Sequence, residues 1–342
     1  MCYTYSTPME QLVKIYTKIA LFGRVQSSTF PEISRQTFLR LIKKPLEEKT
    51  LKREGKGRSV SYTRGEKFYL AAINEVDYFA IDQAKRLLWV NDPLIENSLE
   101  AFEDGERNNL KNLQKEWRKR YNSASETIKK REFERITIEL SWKSSHIEGN
   151  TYSLLDTENL LKENKEAKNH PKEEAVMILN HKRCISFIQE NKKYFAEISR
   201  QKIEELHAIL TEGLGIEKGF RKSPVGIIGT EYRPAENVYH IQEIVEQYIK
   251  KLNKKSDTCE KAFSALVIIA ATQPFADGNK RTSRMLANAF LIAHDHPPMS
   301  FRSIDEVEYK KAIIMAYELQ SLSLLKKLFL EQYREAATKY FV

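Results

Sequence analysis

The sequence predicts a mainly α-helical fold with one β-hairpin in its second half and a small basic module at its N-terminus. Three observations carry this prediction. Residues 262–272 are apolar almost all round, which is typical of a buried helix. Residues 219–230 form a β-branched, glycine-bounded run, which is typical of a hairpin. Residues 35–65 hold ten Lys or Arg and three Glu, a net charge of +7 in a chain of 342 residues with net charge +9.

Residues 1–65 predict two helices followed by a basic hairpin. Apolar residues recur at helical spacing over residues 9–21, and Ser34 is placed to cap a second helix. Two strand-like ends then flank the Gly-Lys-Gly turn of residues 51–62. This order of elements resembles a winged helix-turn-helix, which implies DNA as a partner through residues 35–65. A solvated basic domain that packs on the core or on a partner is the alternative.

Residues 66–125 are predicted to form a helical connector. They lack the Ser, Pro and Gly enrichment of a flexible linker, and residues 68–88 have a helical pattern. Asn91-Asp92-Pro93 is expected to break this pattern, because the residue before a proline avoids helical geometry. A strongly charged helix is predicted over residues 107–120.

A charged helix is predicted to start near Ser125 and to end in residues 144–150, which read Ser-Ser-His-Ile-Glu-Gly-Asn. Ser144 and Glu148 are four residues apart, so they are expected to share one helix face. Gly149 is placed as a C-terminal cap. Taken alone, this pattern indicates an ordinary helix end.

The most informative segment is residues 273–284, which read Gln-Pro-Phe-Ala-Asp-Gly-Asn-Lys-Arg-Thr-Ser-Arg. Pro274 is expected to end the apolar helix before it. A second helix is predicted to begin around Asn279, so the loop lies at a helix N-terminus, where free N–H groups and the helix dipole favour an anion. Gly278 allows the backbone to approach a ligand closely.

The side chains of this segment indicate a nucleotide phosphate and its metal. Asp277 offers a hard oxygen ligand, which suits Mg²⁺ shared with a phosphate. Lys280, Arg281 and Arg284 add charged donors, and the two arginines are three residues apart on one helix face. The alternative, a solvated turn followed by a basic surface helix, does not explain the buried apolar helix in front of the loop.

The segment resembles the signature of the Fic (Fido) family, His-Pro-Phe-x-Asp/Glu-Gly-Asn-Gly-Arg-x-x-Arg. The resemblance implies a Fic helical core, transfer of AMP from ATP to a Ser, Thr or Tyr hydroxyl of a target protein, and Mg²⁺ as cofactor. Carried over by position, it implies that Asp277 holds Mg²⁺ and that Arg284 reaches the γ-phosphate. The other implied phosphate contacts are Gly278, Asn279, Lys280 and Arg281.

Two positions depart from the family signature. Gln273 stands where the family has a histidine that acts as general base, and a neutral amide has no pKa suited to that role. Lys280 replaces the usual glycine, as in the toxin branch related to Doc, which phosphorylates its target. Kinase-like transfer is therefore an alternative, but Arg284, which that branch lacks, favours nucleotidyl transfer.

Residues 144–149 are similar to the family's inhibitory motif, Ser/Thr-x-x-x-Glu-Gly/Asn. The resemblance implies that the helix over residues 126–149 restrains the enzyme, because Glu148 pairs with Arg284 and blocks productive ATP binding. The implied inhibitory residues are Ser144, Glu148 and Gly149.

Residues 219–230 are similar to the family's target-docking flap, Tyr-Arg-x-x-x-Val-x-Ile-x-Gly, with Phe220 in the tyrosine position. The resemblance implies that this segment clamps the target by strand addition. The implied docking residues are Val225, Gly226, Ile227 and Ile228. His207 is expected to be a satisfied helix histidine rather than a substitute base. His240 lies closer to the flap and remains a candidate for the substitute base.

The sequence thus predicts three parts, namely residues 1–65, 66–125 and a Fic domain over 126–342. The leading function is Mg-ATP-dependent AMP transfer to a protein hydroxyl. The alternative is a nucleotide-binding pseudoenzyme that acts as a DNA-binding regulator, which the missing histidine and the basic N-terminus favour.

The cysteines and the apolar runs of the sequence predict the cellular compartment of the protein. Cys2, Cys184 and Cys259 are widely spaced and show no disulfide or zinc pattern, which favours a reducing cytoplasm. No apolar run approaches the roughly 18 residues of a membrane helix, so no membrane partner is expected. A homo-oligomer stays open.

Overall fold

The computed structural model describes residues 7–88 and 94–341. These residues form fourteen α-helices and one three-stranded sheet, which confirms the mainly α-helical prediction. The strands are β1 (Arg24–Val25), β2 (Leu51–Glu54) and β3 (Ser61–Arg64). The helices are α1 (Pro8–Phe22), α2 (Arg35–Glu47), α3 (Glu75–Phe79), α4 (Leu94–Leu99), α5 (Asp104–Ser123), α6 (Glu126–His146), α7 (Leu154–Glu163), α8 (Lys172–Glu190), α9 (Arg200–Thr211), α10 (Val238–Lys254), α11 (Thr258–Thr272), α12 (Asn279–Ala293), α13 (Glu306–Leu319) and α14 (Ser323–Lys339).

The chain divides into two compact units. The first consists of residues 1–97, 227–232 and 310–327. The second consists of residues 98–226, 233–309 and 328–342. The domain boundaries expected from the sequence stay predictions.

The first unit contains the predicted helices and basic hairpin. The Ser34 hydroxyl caps α2 by accepting a hydrogen bond from the Thr37 N–H at 3.2 Å. Strands β2 and β3 pair antiparallel, and the short strand β1, which the sequence did not indicate, adds to the other edge of β3. Phe38 of α2 is buried with its ring 5.4 Å from that of Tyr62 on β3, so the helix packs on the hairpin.

The first unit also joins segments that are far apart in the sequence. The Tyr78 hydroxyl donates a hydrogen bond of 2.6 Å to Glu318, whose carboxylate also lies 3.2 Å from the Arg86 guanidinium. All three groups are shielded from solvent, so the carboxylate is compensated by a cation and a hydroxyl. The 310–327 segment is therefore part of this unit's core.

The prediction of a helix over residues 68–88 is wrong. In this range the α-helix is limited to Glu75–Phe79, with short 3₁₀ turns on either side. The backbone N–H of Asn74 donates to the Thr17 hydroxyl at 2.9 Å, and the Asn74 side chain then caps the short helix. A side chain that satisfies the backbone in this way competes with a continuous helix. The break predicted at residues 91–93 lies outside the described residues.

The second unit is built around α11 and α12. Every residue of α11 is buried, as expected for a helix that is apolar all round. It ends at Thr272, its C-cap Gln273 has a left-handed φ of 47°, and α12 begins after Gly278, as predicted. The two helices pack against each other, and α12 also contacts α8 and α9. The loop between α11 and α12 is thus fixed at both ends by buried helices.

The predicted charged helices are α5 and α6. The Ser125 hydroxyl caps α6 by accepting from the Ile128 N–H at 3.3 Å. The helix ends at His146, three residues before Gly149, and its C-cap is Ile147 rather than the glycine. Gly149 has a φ of 98° in the following turn, where its N–H donates to the His146 carbonyl at 2.9 Å. Glu148 consequently lies in this turn and not on the helix.

The β-hairpin expected over residues 219–230 is not observed. This segment is irregular, with a turn at Ile228–Gly229 and no β ladder. An alternating apolar pattern forms strands only when the backbone finds a partner strand. Here the carbonyls of Ser223 and Gly229 accept hydrogen bonds from the side chains of Arg221 and Arg86 instead.

None of the helices in residues 7–88 and 94–341 combines the length and the apolar character needed to cross a lipid bilayer.

Cys184 and Cys259 are free thiols in buried positions, and burial raises the pKa of both.

Candidate functional site

The backbone of the loop between α11 and α12 favours glycine at residue 278, and the surrounding side chains leave little space for a Cβ there. Gly278 has a φ of 80°, which L side chains rarely adopt. A Cβ built there would lie 3.1 Å from the Thr211 methyl group and 3.4 Å from the Arg281 guanidinium. The N–H groups of the first turn of α12 have no acceptor within the helix. The loop is therefore an open backbone cradle at a helix N-terminus, which suits an anion.

The Asp277 carboxylate is positioned by the backbone of the next residue and by Arg281. One carboxylate oxygen accepts from the Gly278 N–H at 2.6 Å, and the other lies 3.2 Å from the Arg281 guanidinium. Its side chain is 71% exposed, so it can be reached from solvent. No group of three or more His, Cys, Asp or Glu that could hold a metal occurs among the described residues. One exposed carboxylate fits Mg²⁺ when substrate phosphates complete the coordination.

Arg281 is a buried donor aimed into the loop. Its Nη2 makes the contact with Asp277. Its Nη1 is buried and has no hydrogen-bond partner among the described residues. Burial lowers the pKa of Arg281, and the carboxylates of Asp277 and Glu148 partly offset this effect. An unsatisfied buried guanidinium nitrogen is costly. A phosphate oxygen would satisfy it, so the residues present fit a nucleotide phosphate.

Arg284 is completely buried and is held by two residues next to the end of α6. Its Nε donates to the Ser144 hydroxyl at 2.9 Å, and its Nη2 donates to the Ser144 carbonyl at 2.9 Å. The same Nη2 lies 2.8 Å from the Glu148 carboxylate. Two of the three residues that the inhibitory motif implies, Ser144 and Glu148, therefore contact the second arginine of the signature.

Glu148 is ionised in this environment. Its side chain is 17% exposed, and burial alone would raise its pKa. The positive charges of Arg284 and Lys280 outweigh burial and lower the pKa of Glu148 to about 2. The charge-assisted contact with Arg284 is therefore present at neutral pH.

His181 completes this cluster, and the sequence analysis missed it. Its Nδ1 lies 2.8 Å from the Met177 carbonyl and its Nε2 lies 2.9 Å from the Ser144 hydroxyl. Because a carbonyl only accepts, Nδ1 carries the proton and Nε2 accepts from Ser144. Burial lowers the pKa of His181 to about 3, so the ring is neutral. The imidazole thus fixes the direction of the Ser144 hydroxyl toward itself and leaves the hydroxyl oxygen free to accept from Arg284.

Gln273, in the position of the family histidine, has both polar atoms of its side chain engaged. Its Nε2 donates to the Ala270 carbonyl at 2.6 Å, and its Oε1 accepts from the Asn279 amide at 2.9 Å. Asn279 also donates to the Phe275 carbonyl at 2.8 Å and accepts from the Phe275 N–H at 2.9 Å. The two amides therefore stabilise the loop, and neither is a base.

Arg221 is a second residue that sequence reasoning did not single out. It is buried, its Nε donates to the Gln273 carbonyl at 2.6 Å, and its Nη1 donates to the Ser223 carbonyl at 2.8 Å. Its backbone N–H donates to the Pro274 carbonyl at 2.9 Å. Arg221 thus ties the start of the flap-like segment to the loop that contains Gln273. Arg221 matches the arginine of the flap motif Tyr-Arg-x-x-x-Val-x-Ile-x-Gly, which was the signal that could have singled it out.

His207 lies under the loop, and its buried Nδ1 has no hydrogen-bond partner among the described residues. Its ring stacks on Phe275 with centroids 3.7 Å apart, and its Nε2 contacts the Asp277 carbonyl at 2.9 Å. Burial lowers the pKa of His207 to about 4. A general base at neutral pH needs a pKa near 7 and access to the hydroxyl, so His207 supports the loop. His240 is exposed in the first turn of α10.

The residues implied to dock the target lie in the irregular segment after Arg221. Val225 and Ile227 are half-buried, Gly226 is exposed, and the side chain of Ile228 is 99% exposed. A large apolar side chain in this state has no packing role in the described residues. The pattern is that of an apolar contact point held on a turn.

Comparison with known proteins identifies the domain that contains the loop. Residues 197–291 match the family model described as the Fic/DOC family. A probable protein adenylyltransferase of Aquifex aeolicus (strain VF5) is 29% identical over 108 residues. The match covers 31% of this chain and 33% of the relative, so the chain spans about one third of the curated relative.

Solved structures share the fold at low sequence identity. Fic-1 from C. elegans superimposes with a TM-score of 0.59 at 19% identity, over 72% of each chain. A Fic domain containing signaling protein from Bacteroides thetaiotaomicron VPI-5482 gives 0.57 at 19% identity, over 68% of this chain and 97% of the other. A Fic family protein from Desulfovibrio desulfuricans G20 gives 0.51 at 19% identity, over 74% and 76%. The segment that contains the loop therefore matches the Fic/DOC family model, and the solved structures share the fold of the chain.

Proposed function

We propose that this chain transfers AMP from Mg-ATP to a Ser, Thr or Tyr hydroxyl of a protein, and that Glu148 restrains the transfer. The observation that carries the proposal is the 2.8 Å contact between Glu148 and the fully buried Arg284. It ties a phosphate-binding cation to a carboxylate that lies outside the loop. The name of the Aquifex relative, an adenylyltransferase, supports AMP as the transferred group.

The residues of the loop divide the work of binding the substrate. Asp277 would hold Mg²⁺, which neutralises phosphate charge when bound. The first-turn N–H groups of α12 and the unsatisfied Nη1 of Arg281 bind phosphate oxygens. Arg284 binds the terminal phosphate once Glu148 has left it. The acceptor hydroxyl then forms a bond to the α-phosphorus as the bond to pyrophosphate breaks.

Gln273 supplies no base for the proton of the acceptor hydroxyl. It is a neutral amide whose oxygen accepts from Asn279 and whose nitrogen donates to Ala270. The proton therefore passes to solvent water or to a substitute base, for which His240 stays the candidate. Because a positioned base contributes roughly 10²–10⁴-fold, we expect transfer to be slower by about that factor than with a histidine.

Label transfer from α-phosphate-labelled ATP with Mg²⁺ tests the proposal. We would score self-modification by the wild type, Glu148→Gly, and Glu148→Gly combined with Gln273→His. Glu163→Gly, which removes an exposed carboxylate at the end of α7, controls for the glycine substitution itself. Label on Glu148→Gly, and more on the double variant, is the expected result.

Other outcomes of this assay decide between the alternatives. Label only after the histidine is restored would mean that the site has lost its base, and the pseudoenzyme would become the leading function. Transfer from γ-labelled but not from α-labelled ATP would support the kinase-like alternative that Lys280 suggests. No label on any variant would overturn AMP transfer.

A second candidate function is DNA binding by the first unit. The arrangement of basic residues in that unit favours this function. Exposed basic side chains line α2 and the tip of the hairpin. Six of them form no ion pair with any described residue: Arg35, Arg40, Lys43, Arg53, Lys56 and Arg58. Arg40 and Lys43 are three residues apart and so share one face of α2. A helix flanked by a basic hairpin suits a DNA groove and its phosphates.

Salt dependence tests this candidate on the full-length chain. Affinity for a mixed-sequence DNA duplex should fall linearly with salt on logarithmic axes. Replacing Arg40 and Lys43 with Ala should reduce that slope by about 2, since each lost phosphate contact removes about 1. The matched control replaces Lys111 and Lys115, exposed on α5, and should keep the wild-type slope. Binding that is absent or insensitive to salt would remove the candidate.

A further inference from the structure

Glu148 is held by two cations, not one. Its Oε1 lies 2.8 Å from Arg284 Nη2, and its Oε2 lies 3.1 Å from Lys280 Nζ. Each carboxylate oxygen therefore has its own positive partner. The second partner is the residue that stands where the family signature has glycine, which has no side chain to make this contact.

The two cations differ in how easily solvent reaches them. Arg284 is 0% exposed, whereas the side chain of Lys280 is 32% exposed. They are four residues apart on α12, so they lie on the same helix face, one turn apart. An anion that enters from solvent meets Lys280 first and Arg284 only after Glu148 has moved.

The local charge balance favours such an anion even while Glu148 is in place. Asp277 and Glu148 face Lys280, Arg281 and Arg284 across this site. Three positive groups thus face two carboxylates, and departure of Glu148 leaves a second positive charge uncompensated. A polyphosphate, with several charges on a short chain, can bind both cations that Glu148 leaves.

We propose that Lys280 is a second clamp on Glu148, and that a polyphosphate anion and Glu148 compete for the same two cations, Lys280 and Arg284. The proposal rests on the proposed restraint by Glu148 and adds the order of events. The anion first binds the accessible Lys280, which leaves Oε2 of Glu148. The carboxylate then has Arg284 as its remaining cation of the two. In the last step, the anion replaces Glu148 on Arg284. Lys280 is thus a positioning residue for Glu148 in one state and a phosphate ligand in the other.

Protonation does not release this clamp at neutral pH. Burial would raise the pKa of Glu148, but Arg284 and Lys280 lower it to about 2. The carboxylate therefore stays charged, and its release depends on a competing anion.

A double-mutant cycle with inorganic tripolyphosphate tests the competition without nucleotide chemistry. Its affinity would be measured by calorimetry for the wild type, Lys280→Met, Glu148→Gln and the double variant. With Glu148→Gln, the loss of Lys280 removes only a phosphate ligand, and affinity should fall about fivefold. With Glu148 present, the same change also loosens the competitor, so the loss should be less than about twofold.

Equal fold-changes in the two backgrounds would overturn the proposal, because they would mean that Lys280 does not act through Glu148. A matched cycle on the exposed pair of Lys162 and Glu158 controls for charge, since these side chains are 2.7 Å apart on α7. That cycle should leave tripolyphosphate affinity unchanged.

Thermal unfolding without ligand separates this proposal from AMP transfer. Lys280→Met should lower the Tm in the wild-type background and change it less with Glu148→Gln, because the clamp is already gone. Coupling in both measurements supports the proposal even if no label is ever transferred. Coupling in the Tm without coupling in affinity would contradict the competition and leave only a structural ion pair.

Discussion

The side-chain amide of Asn279 donates a hydrogen bond of 2.9 Å to Oε1 of Gln273, while Gln273 Nε2 donates to the Ala270 carbonyl. The glutamine that replaces the family base is thereby committed on both of its polar atoms to the loop that carries it. These two hydrogen bonds predict a structural role for Gln273.

Gln273→Ala should have little effect on turnover. In the Glu148→Gly background we expect label transfer to change by less than about tenfold, because an amide moves no proton, whereas Gln273→His should raise it by roughly 10²–10⁴-fold. Unfolding in urea should show a loss of about 1 kcal/mol for each of the two hydrogen bonds. A drop in transfer of about 100-fold or more in Gln273→Ala, beyond what lost stability explains, would show that the glutamine takes part in the reaction.

Ser144→Ala should destabilise the protein. The hydroxyl accepts from Arg284 Nε and donates to His181 Nε2, and its removal leaves both buried groups unpaired. We expect a loss of about 1–3 kcal/mol in the free energy of unfolding, measured as a lower midpoint in urea with an unchanged slope.

The matched control for this substitution lies one turn earlier on α6. The Ser141 hydroxyl is buried and has no hydrogen-bond partner within the described part of the chain. Ser141→Ala should therefore be neutral or slightly stabilising. Equal losses for Ser141→Ala and Ser144→Ala would mean that the contacts of Ser144 contribute nothing specific.

Stability should fall as the pH drops below about 6.5, the ordinary pKa of histidine. Burial lowers the pKa of His181 from 6.5 to about 3 and that of His207 to about 4. Between these values the unfolded chain binds a proton that the folded chain does not. Folding is therefore favoured at the higher pH, and each such group loses about 1.4 kcal/mol per pH unit.

His181→Gln checks this dependence. The variant should lose about 1.4 kcal/mol less than the wild type between pH 7.5 and 5.5, as measured by urea unfolding at each pH. His240→Gln, at an exposed position on α10, should keep the wild-type dependence. A pH profile that is the same for His181→Gln and the wild type would show that His181 is charged in the folded state.

Arg221→Lys should destabilise the chain although the charge is kept. The guanidinium donates in separate directions to the carbonyls of Gln273 and Ser223, with a third contact at Ala235. An ammonium group on a flexible stem cannot reproduce this planar set of donors. We expect a loss of about 2 kcal/mol in thermal or urea unfolding. Lys222→Met, at the exposed neighbour, should stay within about 0.5 kcal/mol of the wild type.

Sequence reasoning was strongest where the relevant residues are contiguous. The loop between α11 and α12 depends on local rules, so Pro274, Gly278 and the start of α12 were predictable from the segment itself. The approach of Glu148 to Arg284 joins residues 136 positions apart. No local rule gives such a distance, and only the resemblance of both segments to family motifs suggested it.

Residues that act alone were beyond this reasoning. His181 lies in no motif, and its role comes from burial and from a partner on another helix. Arg221 stands at the arginine position of the flap motif, but its contact with the Gln273 carbonyl joins residues 52 positions apart. The β-hairpin predicted over residues 219–230 was wrong because the alternating pattern is typical of a strand but finds no partner strand in the part of the chain that the structure describes. Residues 68–88 misled because Asn74 binds backbone groups that a continuous helix would need.

The contacts of Glu318 with Tyr78 and Arg86 have a consequence for biosynthesis. Residues 1–97 leave the ribosome long before residues 310–327 exist, so the first unit waits for its buried carboxylate while the second is being made. A truncated chain that ends at residue 97 would carry Tyr78 and Arg86 without their partner. The basic N-terminal part should therefore complete its core only after Glu318 has been translated.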